Sequence, residues 1–223
     1  MRIAGVAGAV AALATVMSVM LASAADGPEP DLKYRAVLPA IARAEAPAAP
    51  TPVLPPHPEP YAGPVRTLYL GSANLTMNPV VEQRDTTYLA GREVFEDPSA
   101  PALVAWYPRF GRPGFPAQNS IFAAHINYVG YGNGPFAYLT SAVAGDALYV
   151  TMDNGETYAY TVTSVDIISL SALDMDAVVF PALSASTERV TLISCGGTFV
   201  PSPNGAGGEY NSRVILVAER FHP

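Results

Sequence analysis

The chain has a single cysteine, Cys195, so no disulfide can form within it. The sulfur must therefore be a buried small residue, an intermolecular link or a working thiol. Basic residues are also scarce: 12 Lys and Arg stand against 19 Asp and Glu, a formal charge of −7. A phosphate-backbone partner needs a basic footprint to displace counterions, so nucleic acid is excluded. The three histidines, His57, His125 and His222, lie far apart and join no Cys or Asp at metal-ligand spacing. No glycine loop with an attached lysine is present to cradle phosphate. Neither a metal nor an organic cofactor is expected. Charged residues make up only 14% of the chain and apolar ones 50%, ample for one compact core.

The amino terminus holds a long, largely apolar run. Ile3 to Ala25 follows Arg2 without a charge, and as a helix would extend roughly 34 Å, enough to cross a bilayer. Ala22-Ser23-Ala24 also matches the small-x-small pattern of a signal-peptidase site. Residues 1–25 are thus a signal peptide or a membrane anchor. Either reading predicts an extracytoplasmic domain, with a cytoplasmic amino terminus if the anchor is kept. Residues 26–64 carry eleven of the 22 prolines with few large apolar residues between them, the composition of an extended, semi-rigid linker.

From residue 65 to 223 the pattern becomes short β-type runs separated by Gly, Pro and Asp/Asn. Tyr158, Tyr160 and Val162 share one face of a run from Thr157 to Val165. Asp153-Asn154-Gly155 before it has hairpin chemistry and predicts pairing with Leu148 to Thr151. Further strands are expected at Val65–Leu70, Leu103–Tyr107, Ser120–Ala124, Arg189–Cys195 and Arg213–Glu219. Trp106, Tyr107, Tyr158 and Tyr160 are expected to pack in the core or across strands. Two short helices are expected, one from Pro135 to just before Gly145 and one near Leu173 to Val179. The pattern predicts an all-β chain forming a closed or nearly closed barrel.

Three chemically capable residues stand at strand ends: His125 after Ile121 to Ala124, Cys195 after Val190 to Ser194, and Arg213 before Val214 to Ala218. Strand alternation puts Ile193 with Cys195, and Arg213 with Ile215 and Val217, so each polar group lies at the rim of an apolar face. The segments Asn119-Ser-Ile-Phe-Ala-Ala-His125, Gly145-Asp146, Thr191-Leu-Ile-Ser-Cys195 and Arg213-Val-Ile-Leu-Val-Ala218 resemble, in order and spacing, the sortases, cysteine transpeptidases of bacterial cell surfaces. Ser194 stands where that family usually has Thr, and Ala124 where many members have Gly. The Ala-Ala-His and Cys-Gly-Gly stretches look most like its class E or F branch.

The resemblance implies a closed eight-stranded sortase-like β-barrel with one or two short helices. It implies Cys195 as nucleophile, His125 as general acid and base, and Arg213 as oxyanion stabiliser. Ser194 and Thr191 would be substrate-binding, and the loop from Ser169 to Leu183 would form part of the signal-binding wall. Implied partners are secreted proteins with a carboxyl-terminal Leu-Pro-x-Thr-Gly-like sorting signal, and an amine acceptor from a cell-wall precursor or a pilin lysine. The membrane would be reached through the amino-terminal segment. A thiol of pKa ~8.5 is only about 3% ionised at pH 7, which predicts a slow enzyme whose pH optimum lies between the His and Cys values. Competing expectations are a non-catalytic surface-displayed barrel and another peptidoglycan-active cysteine hydrolase or transpeptidase.

Overall fold

A computed structural model describes residues 60–71, 76–203 and 207–222. The expected signal peptide or anchor, and the linker through residue 59, lie outside the described residues. Among the described residues no helix is long and apolar enough to cross a membrane.

Period-two alternation builds the barrel wall. Leu148, Val150 and Met152 are buried on one strand, as are Tyr158, Tyr160 and Val162 on the next. The turn between them closes through Gly155 N–H donating to the Met152 carbonyl, with Gly155 at φ +91, a conformation open to a residue without a Cβ. In chain order the strands are β1 (Val65–Gly71), β2 (Thr76–Met77), β3 (Val81–Gln83), β4 (Thr86–Leu89), β5 (Arg92–Phe95), β6 (Val104–Tyr107), β7 (Asn119–Ala123), β8 (Asn127–Tyr128), β9 (Gly132–Asn133), β10 (Ala147–Met152), β11 (Thr157–Ser169), β12 (Thr187–Pro201) and β13 (Gly208–Phe221). Among the described residues one α-helix, α1, spans Met175–Val179.

The main sheet runs β1-β10-β11-β13-β12-β7-β6-β3, with β2 added beside β1. A bridge between Thr67 and Val80, reinforced by Leu68 N–H to the Pro79 carbonyl at 3.3 Å, brings β3 back to β1. The eight strands thus form a nearly closed barrel, which leaves little free edge. Its inner face buries Trp106, Phe122, Leu192, Leu216 and the side chains named above. Each such large apolar side chain contributes about 1.5–3 kcal/mol on burial.

The helix expected from Pro135 is a 3-10 turn at Leu139–Ser141. The reason lies in which residues the barrel takes in: Phe136, Leu139 and Ala142 are all buried in the inner core. That spacing of three fits a helix with three residues per turn, and the backbone bonds Leu139 N to Phe136 O and Ala142 N to Leu139 O follow it. The second expected helix forms as α1, capped by the Asp174 carboxylate, which accepts from Asp176 N and Ala177 N at 3.1 Å.

A second apolar cluster lies on the outer face of the same strands. Ala105, Tyr107, Ile121, Ile193 and Ile215 pack there against Val179 of α1, with Phe95 of β5 and Phe110 beside them. The strands that carry the candidate site are therefore buried on both faces.

Candidate active site

Cys195 and Arg213 are register partners across β12 and β13. Directly opposed residues share a face, with Cβ atoms about 4.5–5.5 Å apart. On the other flank β12 runs parallel to β7, with Ile193 opposite Ala123. Ala124 N donates to the Ile193 carbonyl at 3.2 Å, so the pairing continues to the residue before His125. Alternation from Ile193 and Ile215 puts Cys195 and Arg213 on the outer face, which is the floor of a groove and not the barrel interior.

β12 and β13 run past Cys195 and Arg213, and local sequence shapes the backbone beyond the sulfur and beyond His125. Beyond Cys195 the ladder slips between Gly196 and Phe199, a β-bulge. Gly197 sits there at φ +75, and a Cβ at that position would come within 2.3 Å of the Asn211 side-chain oxygen. That oxygen instead accepts from Thr198 N at 2.9 Å. The Cys-Gly-Gly sequence thus ends the flat part of the strand at the sulfur. Beyond His125 the chain turns back so that Phe136 N donates to the His125 carbonyl at 3.2 Å. The imidazole packs on Tyr128, with ring centroids 5.2 Å apart and planes at 60°.

His125, Cys195 and Arg213 all line one groove of about 480 Å³. The segment from Leu170 to Phe180 supplies Leu173, Met175, Val179 and Phe180, and the β4–β5 side supplies Glu93, Phe95 and Asp97. Residues within the Ser169–Leu183 loop thus line one side of the groove. The facing wall, a β4–β5 hairpin, was not expected from the sequence. Its turn carries Ala90 at φ +50 followed by Gly91 at φ +78, where the usual signal would be Asn-Gly or Asp-Gly.

The two expected substrate contacts are placed differently. Thr191 does not line the groove; it is 1% exposed, and its hydroxyl donates to the Asn119 side-chain oxygen at 2.8 Å. Ser194 borders the groove, but its buried hydroxyl donates to the Ala124 carbonyl at 2.9 Å. Both hydroxyls serve the protein's own scaffold. Asn119, which sequence reasoning passed over, links the floor to the wall: its amide nitrogen donates to the carbonyls of Val178 and Val179 at 2.9 and 3.1 Å. The available signal was an amide at the start of an apolar strand, where a buried polar side chain requires partners.

Electrostatics around the sulfur are mixed. Burial pushes the Cys195 thiol above its ordinary pKa; the Arg213 guanidinium opposes this, and the Glu209 and Asp97 carboxylates reinforce it. Arg213 donates to Glu209 Oε1 at 2.8 Å and to the carbonyls of Tyr210 and Ser212 at 3.2 and 3.1 Å. Tyr107 on the groove floor is held neutral by burial, its hydroxyl donating to the Glu96 carbonyl at 2.6 Å. Glu93 is pulled below its ordinary range, first by the Thr86 hydroxyl and also by Arg109. Among the described residues no three His, Cys, Asp or Glu side chains group to hold a metal ion.

An eight-stranded barrel with a cysteine, a guanidinium and an imidazole along one apolar groove defines a class, the β-barrel cysteine transpeptidases. Residues 69–221 match the family model described as Sortase domain, and the chain belongs to the sortase family. Membership makes it an enzyme and sets aside the non-catalytic barrel. Among solved structures it is similar to the sortase A lid mutant of Corynebacterium diphtheriae, at 14% identity and TM-score 0.49, covering 71% of this chain and 70% of that one. It is also similar to the Group B Streptococcus Pilus Island 1 sortase C2, at 15% identity and TM-score 0.49, covering 70% and 73% of the two chains. Sortase C-1 from Actinomyces oris matches at 16% identity and TM-score 0.46, over 70% and 74%. No curated protein sequence matches the chain.

Proposed function

We propose that the enzyme cleaves a carboxyl-terminal sorting signal of the Leu-Pro-x-Thr-Gly type after Thr and transfers the acyl part to an amine. Cys195 is the nucleophile in this reading, His125 the general acid and base, and Arg213 the oxyanion stabiliser. What supports it above all is the cross-strand pairing of Cys195 with Arg213 at the edge of the groove that His125 also lines.

The Cys195 thiolate attacks the Thr carbonyl, and the Arg213 guanidinium donates hydrogen bonds to the oxygen as it gains charge. Collapse breaks the C–N bond, and the His125 imidazolium gives its proton to the departing Gly amine. A thioester remains. An incoming amine attacks it, neutral His125 accepts the amine proton, and the thiolate leaves. The apolar groove walls, including Phe95, Leu173 and Phe180, suit the leucine and proline of the signal and exclude water from the acyl-enzyme.

In the same reading, residues 1–25 export or anchor the enzyme, residues 26–64 space it from the membrane, and residues 65–223 form the catalytic barrel. Its protein substrates are secreted, and the amine comes from a cell-wall precursor or a pilin lysine. The test mixes the full-length enzyme with a panel of sorting-signal peptides and an amine acceptor and reads the products by mass. Amine transfer by the wild type that is lost in Cys195→Ala is the expected result. Peptide cleavage without transfer, unchanged in Cys195→Ala, would reject the reading.

A further inference from the structure

Among the described residues the hydrogen bonds of Arg213 all run back along its own strand. One guanidinium nitrogen donates to the carbonyls of Tyr210 and Ser212, and the other to the Glu209 carboxylate at 2.8 Å. None reaches Cys195, its partner across the ladder, or His125. The two ends of the ion pair differ in environment: the Arg213 side chain is 23% exposed and that of Glu209 65%. A pair so open to water is held by roughly 0–1 kcal/mol, weak enough for another acceptor to displace. Glu209 lies opposite Val200 on β12, past the bulge at Gly197, and its carboxylate reaches back to the guanidinium from there.

We propose that Glu209 is a positioning residue: its carboxylate holds the Arg213 guanidinium parked along β13 and must release it before the guanidinium can serve an acyl group at Cys195. The inference rests on the role of Arg213 given under the proposed function. A peptide carbonyl that becomes an oxyanion carries a full charge in a half-buried groove, where it competes for the guanidinium better than a solvated carboxylate does. Binding and reaction would therefore draw Arg213 from Glu209 to the substrate, and the free enzyme would keep a quiet sulfur.

Several charged or titratable groups bear on this sulfur. Arg213 and Glu209 come from β13, His125 from the end of β7, Glu93 and Asp97 from the β4–β5 side, and Asp176 from α1. Glu93 is already engaged by Thr86 and Arg109. Glu209 alone among these carboxylates contacts Arg213.

The test uses the full-length enzyme and two readouts. The first is the pH profile of iodoacetamide alkylation at Cys195, the only thiol in the chain. The second is kcat and KM for the peptide and amine pair. In Glu209→Gln the alkylation midpoint should move to lower pH by ~0.5 unit or more, since a carboxylate near the guanidinium is neutralised. The value of kcat should rise several-fold with KM little changed, Glu209→Asp should restore wild-type behaviour, and the gain should vanish in an Arg213→Ala background. A Glu209→Gln enzyme with unmoved midpoint and kcat, or with lowered kcat, would overturn the proposal while leaving Cys195 chemistry intact. A wild type that transfers no acyl group would overturn the underlying reading. Even then, an alkylation profile that moves in Arg213→Ala and stays put in Glu209→Gln would count against parking.

Discussion

Of the arginine-bearing cross-strand pairs on β12 and β13, Glu188 opposite Arg220 and Cys195 opposite Arg213 make the sharpest contrast. They lie an odd number of positions apart along each strand, so they face opposite sides of the wall. The Glu188 carboxylate is fully buried and surrounded by partners. It accepts from Gly114 N at 2.5 Å and from the Tyr160 hydroxyl, lies 2.8 Å from His222 Nε2, and faces Arg220 at 3.8 Å. At the other pair the sulfur is half-buried, and its guanidinium is shared with an exposed carboxylate. The same ladder thus carries a closed polar knot and an open one. Closing a knot makes it structural, because every member depends on the others in a low-dielectric interior. Leaving one open, with charges that can change partner, makes it available for chemistry.

Removing the carboxylate is the strongest way to break this comparison. Glu188→Ala removes the buried acceptor that Gly114 N, the Tyr160 hydroxyl and His222 share, and should cost about 3–5 kcal/mol in urea unfolding. Cys195→Ala on the open pair should cost less than about 1.5 kcal/mol while abolishing acyl transfer. Equal losses at the two sites would dissolve the distinction. A smaller effect is expected at Asn119, which ties the groove floor to α1. Asn119→Ala should destabilise by about 1–3 kcal/mol and raise KM for the peptide more than it lowers kcat. An unchanged KM would mean that α1 does not need the tether to shape the wall.

The smallest effect sharpens the open side of the contrast. Because burial raises the Cys195 pKa, less of the sulfur is thiolate at pH 7 than in a free cysteine. Iodoacetamide should therefore react with the folded enzyme more slowly than with a solvated peptide thiol. The rate should rise about tenfold per pH unit and level off only above the ordinary thiol midpoint. A plateau below that midpoint would mean that the guanidinium already dominates the resting sulfur.

Much of the wall was legible because its signals are local. The alternation around Tyr158 and Tyr160, the Asp153-Asn154-Gly155 turn and the apolar runs before Cys195 and after Arg213 each act through neighbours in the chain. The β4–β5 hairpin was missed because Ala90 occupies a left-handed position usually held by Asn or Asp. The sequence does not distinguish the 3-10 turn from a longer helix, because Pro135 marks a helix start in either case and only burial at every third residue separates the two. The family resemblance puts Thr191 and Ser194 at the substrate, while in the fold their hydroxyls find the Asn119 side chain and the Ala124 carbonyl on the parallel neighbour. No telling spacing in the sequence links His222 to Glu188, and only the tertiary fold brings it to that buried carboxylate.

Composition and order by themselves determined that the sulfur stands alone, that strands dominate, and that Cys195, His125 and Arg213 end apolar runs. These are consequences of residue chemistry and of period two, which need no distant partner. Which face those residues occupy, what roofs them, and which carboxylate holds the guanidinium were decided only by tertiary structure. A slip of one residue in register turns every side chain to the opposite side, and register depends on pairing between segments far apart in the chain.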